Sequence, residues 1–464
     1  MIIFYFLFSI FYFLVAIWQP KWALFLICVL LPTYQIRFQF LGLPTTLLEV
    51  MILILFIVWF FKFKIYRLSN IQHLSSRIQS WLWLILAWLV AGLVAVFVSP
   101  NKWAALGHWR AYFLEPILLL IVFLDISHRE AKNLGGLTPQ NFKRSDLRKN
   151  IILALSISAF GCSIWAILQK FLGGGAMSLE TWRYPLTEVW RATGPFPQPN
   201  FLGLYLAPII ILAFGQLIEN FKNKRILAIS YWLLVIIAGL LAIILARSEG
   251  AILGILAGLI FSALIYRKSR KWVAIGLIIL IIIGFSLPIT RNYFIEKITF
   301  QDFSGQIRLK IWSETLTMLK DRPIFGAGLR GYQTVIEKYH QPYFSTERPI
   351  PLEIHPYPHN IFLAIWSELG ILGLIVSLWI LIKFFYQGFN KIIQTIRTYP
   401  NTPNKVFDIS YPRRISAELI FLILNLSAMI ALLVHGTFDT PYFKNDLAVL
   451  FWLIVGLMIS NFYR

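Results

Sequence analysis

Two histidines lie in a proline-broken segment that ends where a long apolar stretch begins. The segment reads His355-Pro-Tyr-Pro-His359-Asn360 and leads directly into an apolar run that contains Gly370. Because imidazole titrates near neutral pH, histidine is well suited to accept a proton from a reacting hydroxyl at a membrane surface. A purely structural role is the alternative, since asparagine is a favoured residue at the N-terminus of a helix.

Three arginines lie next to apolar runs, on the side of the predicted membrane where basic residues are otherwise sparse. Arg191 precedes one run, Arg247 lies in a tight turn between two runs, and Arg308 begins an amphipathic segment. Guanidinium groups bind phosphate oxygens through paired hydrogen bonds, so three of them near a histidine predict a diphosphate-bearing ligand. The alternative is that each arginine only extends its charged end from the membrane into water.

Three acidic residues accompany these groups. Asp439, in the segment that begins at His435, either orients a histidine or an arginine or lies in a solvated turn. Glu368 follows His359 by two and a half helical turns, which places it on another helical face, and we interpret it as a hydrogen-bonding group between helices. Glu115 is an acid within an apolar run, and its role is not predicted.

The composition indicates a membrane protein. The 464 residues are 58% hydrophobic, and many apolar runs reach the roughly 20 residues needed to cross a bilayer. The net charge of +21 comes from basic residues in short loops between these runs, which is the positive-inside pattern. Nucleic-acid binding would need a continuous basic face, so no nucleic-acid partner is expected. Cys28 and Cys162 lie in apolar runs and predict neither a disulfide nor a metal site.

We predict an all-α polytopic integral membrane protein with 12–13 transmembrane helices, forming a single membrane domain over residues 1–464. The first run, Met1 to Trp18, lacks the features of a cleaved signal peptide and is expected to be retained. The predicted spans are 2–18, 21–34, 45–61, 81–98, 111–127, 150–171, 200–218, 227–246, 249–266, 272–288, 361–386, 416–434 and 446–462.

If the basic loops face the cytoplasm, segment 289–360 is a long exterior loop. Apolar residues at helical spacing between Ile307 and Lys320 predict an amphipathic helix within it. Asp321-Arg-Pro323 is expected to end this helix, and three glycines then predict a flexible turn. These glycines are Gly326, Gly328 and Gly331.

The motifs and their order resemble the O-antigen ligase and O-antigen polymerase superfamily. The resemblance rests on a His-Asn pair nine residues before a glycine, an Arg-Ser-x-Gly turn, an arginine–tryptophan helix that leads to a Gly-Ala-Gly turn, and a segment that ends in asparagine. In this chain the motifs are His359-Asn360 with Gly370, the turn at Arg247, Arg308 with Trp312 leading through Pro323 to Gly326-Ala-Gly328, and the segment from Arg191 to Asn200. They fall mainly within residues 190–375, with Asp439 beyond.

The resemblance implies a glycosyltransferase C-like membrane fold and a metal-independent, inverting glycosyltransferase without a cofactor. Such an enzyme takes a glycan from undecaprenyl diphosphate and attaches it to an acceptor hydroxyl. It lies among the lipids of the bacterial cytoplasmic (inner) membrane with its active site facing the exterior. By the resemblance, His359 is the general base, and Arg191, Arg247 and Arg308 hold the diphosphate. Asp439 completes the expected site.

An O-antigen ligase that uses the lipid A core as acceptor is the preferred form. An O-antigen polymerase and a protein O-oligosaccharyltransferase are the alternatives within the superfamily, and a transporter of lipid-linked glycans is the alternative outside it. Two features depart from the family pattern. Glu249 stands in the Arg247 turn and either weakens phosphate binding or pairs with a nearby cation. His355 is a second candidate for the base.

Overall fold

The computed structural model describes residues 2–40, 43–64, 76–133, 147–172, 190–265, 267–286, 288–340, 354–397 and 413–461, which are mainly helical. The helices in the first part of the chain, up to residue 171, are α1 (Ile2–Trp18), α2 (Pro20–Val29), α3 (Leu47–Trp59), α4 (Ser76–Val98), α5 (Lys102–Trp109), α6 (Glu115–Asn133) and α7 (Leu147–Phe171). The later helices are α8 (Pro199–Lys222), α9 (Ile226–Ala246), α10 (Glu249–Ile265), α11 (Arg267–Ser286), α12 (Pro288–Ile298), α13 (Phe303–Asp321), α14 (Tyr332–Ile336), α15 (Ile361–Arg397), α16 (Arg413–Gly436) and α17 (Asn445–Ser460).

Seven of the described helices are long and apolar enough to cross a membrane. They are Ser80–Val98, Lys102–Glu130, Leu147–Phe171, Pro199–Lys222, Ile226–Ala246, Ile361–Arg397 and Ala417–Gly436. Four shorter apolar helices accompany them: Leu7–Trp18, Pro20–Val29, Glu249–Ile265 and Asn445–Ser460. The all-α polytopic membrane class is therefore confirmed, whereas the count of 12–13 spans stays a prediction.

A short antiparallel hairpin departs from the purely helical prediction. Strands β1 (Arg37–Phe40) and β2 (Leu43–Thr46) pair with Arg37 opposite Thr46. The hairpin leads directly into α3, where Thr46 accepts a hydrogen bond from the Glu49 N–H at 3.2 Å and the Glu49 carboxylate accepts one from the Thr46 N–H. This reciprocal capping satisfies two backbone donors at the start of the helix.

Close packing of α10 against α16 fixes one end of the helical bundle. A Cβ atom on Gly254 would lie 2.5 Å from the Ala431 carbonyl oxygen, and one on Gly258 would lie 2.7 Å from that of Ser427. The two helix backbones therefore touch, as small residues permit in membrane helix pairs. Since α10 begins at Glu249 and α16 ends at Gly436, this contact brings the Arg247 turn next to the segment after α16.

The glycine-rich turn after α13 packs against α15 and the end of α4. Gly326 has a φ of +62°, and a Cβ there would lie 2.4 Å from the Ser367 carbonyl oxygen. Gly328 has a φ of +81°, and a Cβ there would lie 2.6 Å from the Ser99 backbone nitrogen. Gly370 interrupts α15 with a φ of +69°, against the Ile324 carbonyl. The prediction of a flexible turn was therefore wrong, because these glycines allow backbone contacts that side chains would block.

Candidate functional site

A cavity of about 330 Å³ lies at one end of the bundle, and the three predicted arginines line it together. Arg191 reaches it from the segment before α8, Arg247 from the turn between α9 and α10, and Arg308 from the first turns of α13. The other lining residues are Asn200, Glu249, Gly250, Lys297, Asp302, Phe303, Ser304, His435 and Phe438. The tertiary fold therefore joins cations that the sequence placed in three separate motifs.

Arg191 is held against the C-terminal end of α9. Its Nε donates to the Ala246 carbonyl at 2.8 Å, and one Nη donates to the Arg247 carbonyl at 3.2 Å and to Asn200 Oδ1 at 3.0 Å. Carbonyls at the end of a helix lack partners within it, and a cation there also offsets the helix dipole. Arg191 thus ties the segment before α8 to the Arg247 turn while its charge lies at the cavity wall.

Arg247 occupies a conformation that side chains rarely adopt. It ends α9 with a φ of +49°, the left-handed position that glycine usually takes after a helix. Its side chain is exposed, and no acidic group within the described part of the chain forms an ion pair with it. Among the described residues the guanidinium therefore faces the cavity without an ion-paired acid, and a backbone of this kind persists where the surrounding structure imposes it.

Arg308 and Trp312 connect α13 to both sides of the site. Arg308 Nε donates to the Phe438 carbonyl at 3.3 Å, and its guanidinium lies 5.9 Å from the centre of the Phe438 ring. One helical turn later, Trp312 Nε1 donates to the Pro358 carbonyl at 2.9 Å. The same helix therefore positions a cavity arginine and the residue that precedes His359.

His359 lies next to Asp439 beside this cavity. Its Nδ1 is 3.3 Å from Asp439 Oδ1, and the same oxygen accepts the Thr440 N–H at 2.8 Å. Asp439 is only 2% exposed. Burial would raise the pKa of Asp439, but the hydrogen bond and charge of His359 outweigh it and hold this pKa well below its usual range. The carboxylate is therefore ionised and able to orient the imidazole.

Asn360 caps α15, so the structural interpretation of the His-Asn pair also holds. Its Oδ1 accepts the N–H groups of Phe362 at 3.0 Å and Leu363 at 3.1 Å. Its Nδ2 donates to the Thr437 carbonyl at 3.1 Å, which links the start of α15 to the segment after α16. The asparagine fixes the helix end, and the preceding histidine, with a φ of +48°, turns out of the helix toward Asp439.

His355 is the weaker candidate for a base. Its Nδ1 lies 3.4 Å from His359 Nε2, and the two rings meet edge to face. Burial, followed by the nearby charge of His359, lowers the pKa of His355 to about 4. His355 is therefore neutral near pH 7 and accepts a proton less readily. With a proton on Nδ1 directed at Asp439, His359 keeps Nε2 as the acceptor, a tautomer that we assign from the hydrogen-bonding pattern.

Glu249 pairs with a cation, as one of the two interpretations of this residue in the sequence predicted. Its carboxylate lies 2.9 Å from Lys297 Nζ and accepts a hydrogen bond from the Tyr293 hydroxyl at 3.0 Å. Lys297 also pairs with Asp302 at 2.9 Å. Lys297, Asp302 and His435 were missed as site residues because no motif marks them, and α12, which carries Lys297, was not predicted as an element.

Two buried acids serve the packing rather than the cavity. Glu368 accepts the backbone N–H groups of Arg330 and, at 3.2 Å, of Tyr332. Arg330 lies in the turn after α13 and Tyr332 is the first residue of α14, so Glu368 of α15 bonds the start of a neighbouring short helix, in line with its interpretation as a hydrogen-bonding group between helices. Glu115 pairs with Arg110 Nε at 3.2 Å. The Glu368 carboxylate satisfies backbone donors that would be costly to bury alone, whereas Glu115 is held by an ion pair that lacks hydrogen-bond geometry.

The described histidine, cysteine and acidic residues include no group of three or more that could hold a metal ion. The expected independence of metal ions stays a prediction. What the geometry shows is a cation-rich cavity beside a histidine–carboxylate pair, which can bind anionic oxygens and accept a proton within one site.

These features define a polytopic membrane protein with an anion-binding cavity at one end of its helical bundle. A family model described as O-antigen ligase matches residues 233–378, which is less than half of the chain. This match places that part of the chain in the O-antigen ligase and polymerase superfamily and confirms the resemblance there. It contains Arg247, Arg308 and His359, whereas Arg191 and Asp439 lie outside it. No curated protein matches the chain.

Proposed function

We propose that the protein transfers a glycan from undecaprenyl diphosphate to an acceptor hydroxyl at the outer face of the bacterial cytoplasmic membrane. The observation that carries this proposal is the position of the arginine cavity directly beside the His359–Asp439 pair. Phe438 lines the cavity and bonds Arg308, and the next residue, Asp439, bonds His359. Consecutive residues of one segment thus contact the cavity arginine Arg308 and the candidate proton acceptor His359.

The cavity suits a departing diphosphate. Its lining carries the cations Arg191, Arg247, Arg308 and Lys297 against the acids Glu249 and Asp302, so positive charge is in excess. Negative charge grows on the phosphate oxygens as the glycosidic bond breaks, and fixed cations stabilise that charge without reorganisation. Arginines supply this stabilisation through paired hydrogen bonds and so give the reaction a route that does not need a metal ion.

His359 activates the acceptor in this proposal. The acceptor hydroxyl replaces His355 Nδ1 as the neighbour of His359 Nε2, and Nε2 takes the hydroxyl proton as that oxygen forms a bond to the anomeric carbon. The bond from that carbon to the phosphate oxygen breaks at the same time, and its electron pair leaves with the diphosphate. Attack opposite the leaving group inverts the anomeric centre. Asp439 stabilises the imidazolium that results, because its buried carboxylate remains ionised.

An O-antigen ligase acting on the lipid A core is the preferred form of this function. An O-antigen polymerase or a protein O-oligosaccharyltransferase would use the same site and differ only in the acceptor. A transporter of lipid-linked glycans is less favoured, because transporters place charged groups near the membrane midplane. Here the arginines lie at helix ends, in the turn between α9 and α10 and before α8.

In vitro transfer tests the proposal. Purified protein receives an undecaprenyl-diphosphate-linked glycan and, in separate reactions, the lipid A core or a second carrier-linked glycan. Product on the core that His359→Ala abolishes supports a ligase, and product on the second carrier supports a polymerase. His128→Ala, toward the C-terminal end of α6, is the matched control and should remain active. Activity should survive a chelator, and its loss with rescue by a divalent ion would contradict the metal-independent route.

A further inference from the structure

Lys297 is a cavity cation whose charge is already occupied by two acids. Its Nζ lies 2.9 Å from both Glu249 and Asp302, and all three residues line the cavity. Burial alone would lower the pKa of Lys297, but its hydrogen bonds with Asp302 and Glu249 raise it overall. Arg247, by contrast, has no acidic partner within the described residues. The cavity therefore contains one cation, Arg247, that can bind phosphate directly, and another, Lys297, that must first lose an acidic partner.

The two acids differ in how firmly they are held. The Glu249 side chain is 53% exposed, whereas that of Asp302 is 14% exposed and precedes α13. Exposed ion pairs contribute little, because water and salt screen them and the side chains lose freedom on pairing. Glu249 is therefore the partner that an incoming phosphate can displace from Lys297, while its other oxygen keeps the hydrogen bond from the Tyr293 hydroxyl and Asp302 continues to hold Lys297 in place.

The reaction changes the charge that this cavity must hold. In the donor both phosphates are esterified, so each carries one ionised oxygen. Cleavage removes the sugar ester from the terminal phosphate, which is then attached only through the anhydride oxygen and, like a phosphate monoester, carries a charge of about −1.5 to −2 near neutral pH. The released carrier diphosphate is therefore more anionic than the donor. A cation that becomes available only when this extra charge appears would distinguish the product from the donor.

Resting on the proposed function, we propose that Lys297 binds the terminal phosphate of the released undecaprenyl diphosphate, and that Glu249 is displaced from Lys297 when this phosphate gains its charge. Glu249 then re-forms the pair as the product leaves. Because Glu249 competes with the phosphate for Lys297, it limits the affinity for the released undecaprenyl diphosphate. This competition gives Glu249, the acid that departs from the family pattern in the Arg247 turn, a role in product release. Lys297 acts as a binding residue for the leaving group and Glu249 as its intramolecular competitor.

The test compares binding of two probes by purified protein in lipid nanodiscs: undecaprenyl diphosphate and the undecaprenyl-diphosphate-linked glycan. Lys297→Met should weaken undecaprenyl diphosphate binding about tenfold or more, the usual size for a lost bond to a charged group, with less than about threefold change for the glycan-linked donor. Glu249→Gln should tighten binding of the diphosphate and slow turnover. Lys310→Met, which alters a lysine paired with Glu314 outside the cavity lining, is the matched control.

The outcomes separate the two proposals. Equal weakening of both probes by Lys297→Met, or no change in either, overturns the role of Lys297 as a product-binding cation. Glu249→Gln gives an independent check, because unchanged diphosphate affinity in this variant overturns the competition even if Lys297→Met is poorly folded. Failure of the wild-type protein to bind either probe, or binding that Arg308→Ala leaves unchanged, would sink the proposed function and this inference with it.

Discussion

Replacing Asp439 by asparagine removes a charge from the histidine pair while preserving much of its hydrogen bonding. One oxygen, Oδ1, accepts both the Thr440 N–H at 2.8 Å and the His359 Nδ1 hydrogen at 3.3 Å. An asparagine oxygen in that position can accept both as well. Asp439→Asn therefore keeps the imidazole oriented and removes mainly the charge that stabilises the imidazolium.

The size of the effect follows from this geometry. Unit charges at this separation interact by about 5 kcal/mol at an effective dielectric constant near 20. The His359 side chain is 23% exposed, so solvent reduces that figure, and about 1.5–3 kcal/mol is typical of a hydrogen bond to a charged group. Transfer should fall roughly 10- to 200-fold in Asp439→Asn. Asp439→Leu also removes the oriented acceptor and should lose about 10³-fold or more, within the range of general-base catalysis.

The assay is initial-rate transfer by purified variants across pH 5.5 to 9. Asp321→Asn is the control, since Asp321 is exposed and accepts a hydrogen bond from the Tyr339 hydroxyl at 2.8 Å, away from the histidine pair. Asp439→Asn activity within threefold of the wild type would refute the role of Asp439 in supporting His359 as the base.

Three further substitutions test separate parts of the argument. Arg247→Gly should leave the melting temperature unchanged or higher, because glycine relieves a left-handed backbone worth about 1 kcal/mol, yet transfer should fall about 100-fold. Arg308→Lys should lose at least about tenfold in transfer, since an ammonium cannot bond the Phe438 carbonyl and also present a planar fork to the cavity; near-normal transfer would leave Arg308 a structural role. Because the pKa of His355 is lowered to about 4 in the fold, the unfolded chain binds more protons below pH 6.5, so stability should fall by at most about 3 kcal/mol as the pH drops to 4. His355→Gln should remove that part of the decline, measured by thermal unfolding in detergent at pH 7 and pH 4.5; an unchanged decline would contradict the shift.

The spans could be predicted because each apolar run must satisfy its own backbone within the membrane. The predicted span 227–246 corresponds to α9, Ile226–Ala246, and 200–218 lies within α8, Pro199–Lys222. The amphipathic helix predicted from Ile307 to Lys320 lies within α13. The hairpin at Arg37–Thr46 and helix α12 could not be predicted in this way, because both are short and depend on the helices that they contact.

Some residues of the candidate site could be predicted from the sequence and others could not. Arg191, Arg247 and Arg308 could be predicted because a cation beside an apolar run is costly and so marks function. Lys297 could not be predicted as a site residue, since a lysine in a long loop is common. Its place in the cavity is recognised only from its ion pair with Glu249, almost fifty positions earlier in the chain. The glycine turn was misjudged for a related reason. Glycine permits both flexibility and close packing, and only the neighbouring backbone distinguishes them.

Two independent links set the position of His359, the proposed base, relative to Arg308, one of the proposed leaving-group cations. On one side, Arg308 bonds the Phe438 carbonyl while the adjacent Asp439 bonds His359. On the other, Trp312, one turn after Arg308, bonds the carbonyl of the residue before His359. Catalytic groups must be held to within a fraction of an ångström for direct displacement, and a single link would leave the histidine loop free to rotate. With both links in place, α13 and the segment after α16 hold His359 and Arg308 relative to each other, so a change at Trp312 should impair the proposed transfer although the residue is neither the proposed base nor a proposed phosphate ligand.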